Sequence, residues 1–362
     1  MTIFLYWSAI IAAFFGKKSK LVAVYILSVI WVLAAFNLSN ADLTNYQREY
    51  AWISEGIFTA ENARYLGYYF LQLISSKIGL DFLSFKVLVF LGVFLLLAYS
   101  LRKITKNFNI ALAFYLAYSY GIDVVQVKTL IANTLVFFAI ANFLSKKESS
   151  NYDKIIFILL LVLASSFHFA NSFFLIIGIL YIFFDAGLYK KICLFGSIGF
   201  ILLTRFNILE IIFNLSTSIL TFVGDLNYLS GWFDSRVKLG FFLQAAPVVA
   251  LLFLNHMHGR LQKREKNELI GLDNMLAFSW GILLLLPFFM YDVTFSRLCR
   301  VFYLVHYALL AQNFTVKWDK KGMKIAAFFL SISLVVFLYL LDIQPVYQVT
   351  LGAIFDNNMY LQ

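Results

Sequence analysis

Arg297 and Arg300 are three residues apart at the start of an apolar run, so a helix through them puts both on one face. Two guanidinium forks on one face suit a diphosphate, because each fork can grip two oxygens. The stretch from Asp123 to Asn133 carries further chemistry. It places an acid (Asp123), two amides (Gln126 and Asn133) and a lysine (Lys128) between two apolar runs, with no glycine or proline after Gly121. Gln126 and Asn133 lie seven apart and share one face if a single helix continues through them. Polar groups there must meet other helices or a wet cavity instead of lipid, and hydrogen-bond glue between helices is the plainer alternative. His168 stands between two more apolar runs, in Ser165-Ser166-Phe167-His168-Phe169. A single histidine is usually structural, and His168 gains weight only by facing the same cavity as Lys128 and the arginine pair. His256 and His258, beside a basic cluster, read as loop. No HExxH is present, and neither Cys193 nor Cys299 has a metal-ligand spacing, so no metal or cofactor is expected. The two cysteines fall at opposite membrane depths and are not expected to pair.

The elements that must position these residues are membrane helices. Of 362 residues, 62% are hydrophobic and only 13% charged, where a soluble domain has roughly half and a quarter. So much apolar surface has to face lipid. On a ruler of about 20 apolar residues per crossing, spans are expected near 3–15, 21–36, 83–101, 108–122, 129–144, 155–168, 171–184, 192–206, 239–255, 272–291, 298–315 and 325–342. The expectation is therefore an all-α, polytopic integral membrane protein of about 12 transmembrane helices, forming one transmembrane domain over 1–362. The short pair 155–168 and 171–184 could instead be one helix and a re-entrant segment. The first fifteen residues carry no basic n-region and read as a first span, not as a removable signal.

Charge sets the orientation. Six basic clusters hold nineteen of the 29 lysines and arginines, and all fall on one side of the alternating topology. They are Lys17/Lys18/Lys20, Arg102/Lys103/Lys106, Lys146/Lys147/Lys154, Lys190/Lys191, Arg260/Lys263/Arg264/Lys266 and Lys317/Lys320/Lys321/Lys324. The positive-inside rule makes that side the cytoplasm and puts both termini outside. The net charge of +10 is thus spread over loops and does not form a stripe for nucleic acid. Cytoplasmic connections are too short for an ATPase or nucleotide-sugar domain, and no GxxxxGK[ST] occurs. The two long connections, about 37–82 and 207–238, are external. Their apolar residues at helical spacing, from Tyr65 to Leu73 and from Ile211 to Leu220, suit segments lying along the interface.

Ten basic residues remain on the external side, where the orientation does not require them: Arg48, Arg64, Lys77, Lys86, Lys128, Arg205, Arg236, Lys238, Arg297 and Arg300. A charge near membrane depth is costly unless paired or wetted, which makes it either a site or half of a buried pair. Twelve acids share that side, among them Asp42, Glu49, Glu61, Asp123 and Asp342. Ion pairing is the alternative for each cation.

At these residues the sequence resembles the EpsG branch of the Wzy-type bacterial polysaccharide polymerases, from about Asp42 to Asn171 with a vaguer tail to Arg300. That family carries an external Asp with a Tyr four residues on, here Asp42 and Tyr46, then an acid with an aromatic, here Glu61 and Tyr65. A Gln-x-Arg-Gln-x-x-Ala sequence that opens a span stands here as Gln126-Val-Lys128-Thr129-Leu-Ile-Ala132, and a His-x-Ser-like tip is matched by His168. The departures are Lys128 for the arginine, which loses the bidentate fork, Thr129 for a glutamine, and His-Phe-Ala-Asn-Ser at the tip.

The resemblance implies a membrane glycosyltransferase in the bacterial inner membrane. Its substrate would be a polyprenyl-diphosphate-linked oligosaccharide at the external leaflet, with membrane lipid around it and a chain-length regulator protein as a further partner. In that setting Arg297, Arg300 and Lys128 would hold the diphosphate, with Gln126, Asn133, Arg48 and Arg64 as further substrate contacts. Asp42, Glu61, Asp123 and His168 are the alternatives for the base, and Tyr46 and Tyr65 offer flat faces to sugar rings. Two rivals remain: a transporter of lipid-linked saccharide or a small anion, and an O-antigen ligase-like transferase.

Overall fold

The computed structural model describes residues 1–146, 148–205, 238–264, 269–290, 295–314 and 321–361. Among them the chain is helical throughout, with no strand and one isolated bridge between Asn37 and Asn358. In chain order the helices are α1 Thr2–Phe15, α2 Lys20–Ala35, α3 Leu43–Ser54, α4 Ala60–Arg64, α5 Leu66–Lys77, α6 Phe82–Ile104, α7 Phe108–Ala117, α8 Ser119–Val125 and α9 Val127–Phe143. There follow α10 Asn151–Phe167, α11 Ser172–Phe183, α12 Ala186–Arg205, α13 Lys238–Arg264 and α14 Leu272–Phe278, which tightens into a 3-10 helix through Met290. Then come α15 Ser296–Asn313, α16 Lys321–Leu338 and, after a π-helical turn at Tyr339–Ile343, the short α17 Leu351–Asp356.

Local chemistry starts several of these helices where they start. The Ser19, Asp81 and Ser150 side chains accept the N–H three residues on, which satisfies donors that a first turn leaves unpaired. Thr59 and Asn62 close a reciprocal capping box on α4. In their described residues the twelve expected runs are helical, 108–122 being divided between α7 and α8. Among the described residues five helices are long and apolar enough to cross a membrane: Phe82–Ile104, Ala186–Thr204, Phe241–Arg264, Leu272–Met290 and Gly322–Val349. A sixth is added if α7 and α8, bent by 68° at Tyr118, count as one broken span. The structure thus supports five or six crossings where the sequence reading expects about twelve. The other runs are shorter apolar helices such as Thr2–Phe15 and Lys20–Ala35, or carry too many polar residues to pass as spans, as α15 does.

α7, α9 and α15 form the centre. Every residue from Phe108 to Leu116 and from Leu298 to Gln312 is buried, so these helices meet other helices on all sides. α15 packs against α7, α9 and α13, and α9 against α6 and α10. The outer helices turn Phe4, Leu21, Leu95, Leu159, Phe195 and Phe253 outward, which is the surface that lipid would cover. The two cysteines are buried and unpaired.

Two ends are distinguished by their contacts. At one end the basic stretches meet. Asn109 donates to the carbonyls of Gly16 and Ser19, Asn107 to Ala311, Gln262 to Leu309, and Asn274 to Leu144 and Lys146. At the other end Thr2 bonds Phe355, Asn37 bonds Ala353, and α8, the start of α9 and the start of α15 come together. Both ends of the chain lie there. The 37–82 connection folds into α3, α4 and α5, with the Tyr65 to Leu73 stretch helical as its spacing suggests. The 207–238 connection, with Ile211 to Leu220, lies outside the described residues. His256 and His258 are not in a loop: both lie inside α13, where His258 is buried against Ser331 and Asn313.

Candidate functional site

The break between α8 and α9 organises the site. Gln126 leaves helical geometry, at φ −99° and ψ 65°. It ends α8 and precedes α9, so Gln126 and Asn133 do not share a continuous helix as the sequence reading has it. The break presents Asp123 and Gln126 to the start of α15 while Lys128 points toward α3. Its side chains are tied to neighbouring elements. Arg300 donates to the Asp123 carboxylate, to the Gln126 amide oxygen at 2.6 Å and, through Nε, to the Arg297 carbonyl at 3.2 Å. Arg300 is 2% exposed, so its fork is spent inside the chain and is not open beside that of Arg297. A charge so buried persists only because it is paired and hydrogen-bonded.

Lys128 faces the other way. Its ammonium lies 3.0 and 3.1 Å from the two Glu49 oxygens. It also lies 4.3, 5.4 and 5.7 Å from the ring centres of Tyr65, Tyr68 and Tyr46. Three aromatic faces and a carboxylate make a cage in which a cation is favoured. Glu49 in turn accepts from the Asn62 amide at 3.1 Å. The same Asn62 caps α4, its oxygen accepting from the backbone N–H and hydroxyl of Thr59. The cap of α4 is thereby tied to Lys128 on α9.

Asp42 sits just before α3, and the charges of Arg297 and Lys128 both act on it. Burial raises its carboxyl above the ordinary aspartate range, and those two cations hold back the rise. Burial and then the Asp42 charge push the Tyr46 hydroxyl up as well. His168 lies in the turn between α10 and α11, its ring 5.7 Å from that of Tyr65 and tilted by 30°. Burial, followed by the charges of Arg297 and Arg300, pushes it down to about 4, so the imidazole is neutral at physiological pH. Its Nδ1 is buried with no hydrogen-bond partner, as is the Asn171 side-chain oxygen. Asn133 ties these parts together, donating to the Arg297 carbonyl at 3.3 Å and accepting from Asn171 at 2.9 Å. Its position is that of glue between helices.

One cluster therefore holds Asp42, Tyr46, Tyr65, Lys128, His168 and Arg297, with Asp123, Gln126, Asn133 and Arg300 directly behind. Two of the expected substrate contacts lie at the surface. Arg48 is exposed, bonded to Asn45 and lying 5.3 Å from the Trp52 ring, and Arg64 is exposed at the end of α4. Glu61 opens α4, and its side chain lies outside the described residues. The sequence reading did not select Asn62, Tyr68 or Asn171 for the site, and it named Glu49 only among the external acids that could pair with a cation. The i to i+3 step from Tyr46 to Glu49 and the Tyr65–Tyr68 step on α5 are the signals that could have found two of them. Asp342, likewise named only as a possible partner for a cation, lies elsewhere. It lies in the π-helical turn and accepts from Tyr118, the residue at the 68° bend, and from Gln244 at 3.3 Å.

The model of one protein family, the EpsG family, matches residues 20–350. No curated protein and no solved structure matches the chain.

Proposed function

Because the chain belongs to the EpsG family, we propose that it is a polysaccharide polymerase that joins polyprenyl-diphosphate-linked oligosaccharide units by glycosyl transfer. The reading places the reaction at the end of the bundle away from the basic clusters, on the external face of the bacterial inner membrane. The observation that carries it is the meeting of Lys128 and Arg297 around Asp42 and His168, at a helix break among apolar helices. Cations held at membrane depth beside a carboxylate with a raised proton affinity suit an anionic, lipid-borne substrate.

In this mechanism an acceptor hydroxyl attacks the anomeric carbon of the donor sugar. The bond from that carbon to the diphosphate oxygen breaks, and the diphosphate leaves on its lipid with the electron pair. Lys128 and Arg297 face the charge that grows on the leaving group, which is where fixed cations help most. Asp42 takes the hydroxyl proton, its raised affinity bringing it nearer to the pH at which it works. Neutral His168, with Nδ1 unbonded, offers a second acceptor or a contact to a sugar hydroxyl. The Tyr65 ring beside it supplies a flat face. Arg300 and Asp123 hold the break in place and do not touch substrate.

The bent α7–α8 pair favours a second reading, since helices broken within the membrane also line the paths of transporters. One experiment separates the readings. Purified protein in detergent, given a lipid-linked repeat unit alone, should yield a ladder of products with released lipid diphosphate. No ladder, together with transfer of the intact unit across a vesicle membrane, would establish transport instead. Transfer only to a lipid A core would mark a ligase.

A further inference from the structure

We infer that Glu49 holds the place of the substrate's phosphate on Lys128 in the resting protein, so that a diphosphate binds by displacing it. The inference rests on the reading above that Lys128 meets a lipid-linked diphosphate, and it adds a residue that sets the affinity of that step. Lys128 is 6% exposed and touches both Glu49 oxygens within 3.1 Å. An ammonium so buried requires an anion beside it, because removing the partner leaves a charge that the surroundings cannot solvate. A phosphate offers the same oxygen chemistry at the same distance. Two anions on one ammonium in a poorly hydrated cage repel each other, so ligand and Glu49 compete.

The surroundings of Glu49 suit a partner that can let go. Its side chain is 12% exposed, so one edge reaches outward. The Asn62 amide bonds the Oε1 atom at 3.1 Å and keeps a donor on the carboxylate after Lys128 turns away. Arg300 is the contrast. Three acceptors hold it, and it is more deeply buried. Lys128, whose carboxylate partner keeps an exposed edge, is the cation that exchanges partners. Glu49 acts through it as a positioning residue and is not itself a catalytic one.

The test compares full-length wild type, Glu49→Gln and Lys128→Met in detergent, with inorganic pyrophosphate as the probe read by calorimetry. Glu49→Gln should bind pyrophosphate at least about tenfold more tightly than wild type, and adding Lys128→Met should abolish the gain. In turnover the same Glu49→Gln substitution should lower KM more than it changes kcat, a split that general loosening of the fold would not produce. Equal or weaker pyrophosphate binding by a folded Glu49→Gln protein overturns the inference. So does a gain that survives Lys128→Met, or an absence of binding by both proteins. If Glu49→Gln does not fold, Glu49→Asp, one methylene shorter, should show a smaller gain of the same sign, and a loss overturns the inference. Because pyrophosphate binding needs no turnover, a failure of every variant to make polymer would sink the polymerase reading without deciding this one.

Discussion

Lys128 and Arg300 are both buried cations beside one helix break, yet their surroundings give them different work. Lys128 meets a carboxylate with an outward edge and three tyrosine rings, while Arg300 is consumed by Asp123, Gln126 and a backbone carbonyl. Lys128→Met should therefore lower polymer formation by roughly 100-fold or more, the usual loss when one charge-stabilising donor is removed, as read by product ladders at matched protein levels. The titrating residues make a second prediction. His168 stays neutral down to about 4, whereas an unfolded histidine takes its proton near 6.5. Between those values the unfolded state binds more protons, so stability is lost as pH falls from about 6.5 toward 4. Thermal unfolding in detergent should show that slope, and His168→Gln should flatten it. Asp42 has the opposite displacement, raised by burial. The base form needed for turnover is lost as pH falls through that raised value, so the acid limb of the rate profile should belong to Asp42 and vanish in Asp42→Asn.

Among the elements, the α8–α9 break and the start of α15 depend on each other. Asp123→Ala would leave the Arg300 guanidinium buried and unpaired, and the expected cost is about 3–5 kcal/mol. Replacing both with apolar residues, as in Asp123→Leu with Arg300→Met, should recover much of it. Unfolding midpoints of the single and double variants check this directly. Recovery of activity along with stability would mark the pair as a support for the break, and stability without activity would give it a direct part in the chemistry. The other side of α8 is close-packed against α17. A Cβ on Gly121 would lie 2.6 Å from the Leu351 side chain. Gly121→Val should cost about 1–3 kcal/mol by overpacking, seen as a lower midpoint with an unchanged family of helices.

For the molecule as a whole, the separation of the two ends is the feature with the widest consequence. Residues next to the basic stretches bond across one end, while the Lys128 cluster, Thr2 and Phe355 occupy the other. If the basic end is cytoplasmic, as the positive-inside rule requires, a cysteine at exposed Trp52 should react with a membrane-impermeant maleimide in intact cells. One at Lys263 should react only after lysis. The two native cysteines are buried, so they contribute little background. Labelling with the sides reversed would place the site inside and remove the external-face proposal.

What could be read from sequence was whatever depends on composition and period. Apolar excess demands lipid-facing helices, helical spacing in Tyr65 to Leu73 marks α5, and cation clusters between apolar runs mark one end of the bundle. That the polar residues from Asp123 to Asn133 meet other parts of the chain was also legible, because polar groups inside apolar runs are costly to leave against lipid. Tertiary structure decided the rest. The identity of a buried cation's partner depends on contacts between residues far apart in sequence. Glu49 lies 79 positions from Lys128, and Asp123 lies 177 from Arg300. Nothing in the local sequence distinguishes an arginine that is locked from a lysine that can exchange. Nor could period alone reveal that the helix stops at Gln126, since no glycine or proline marks the place. The number of crossings belongs with them for a related reason: an apolar run shows that a segment avoids water, whereas whether it meets lipid or other helices is settled only by packing.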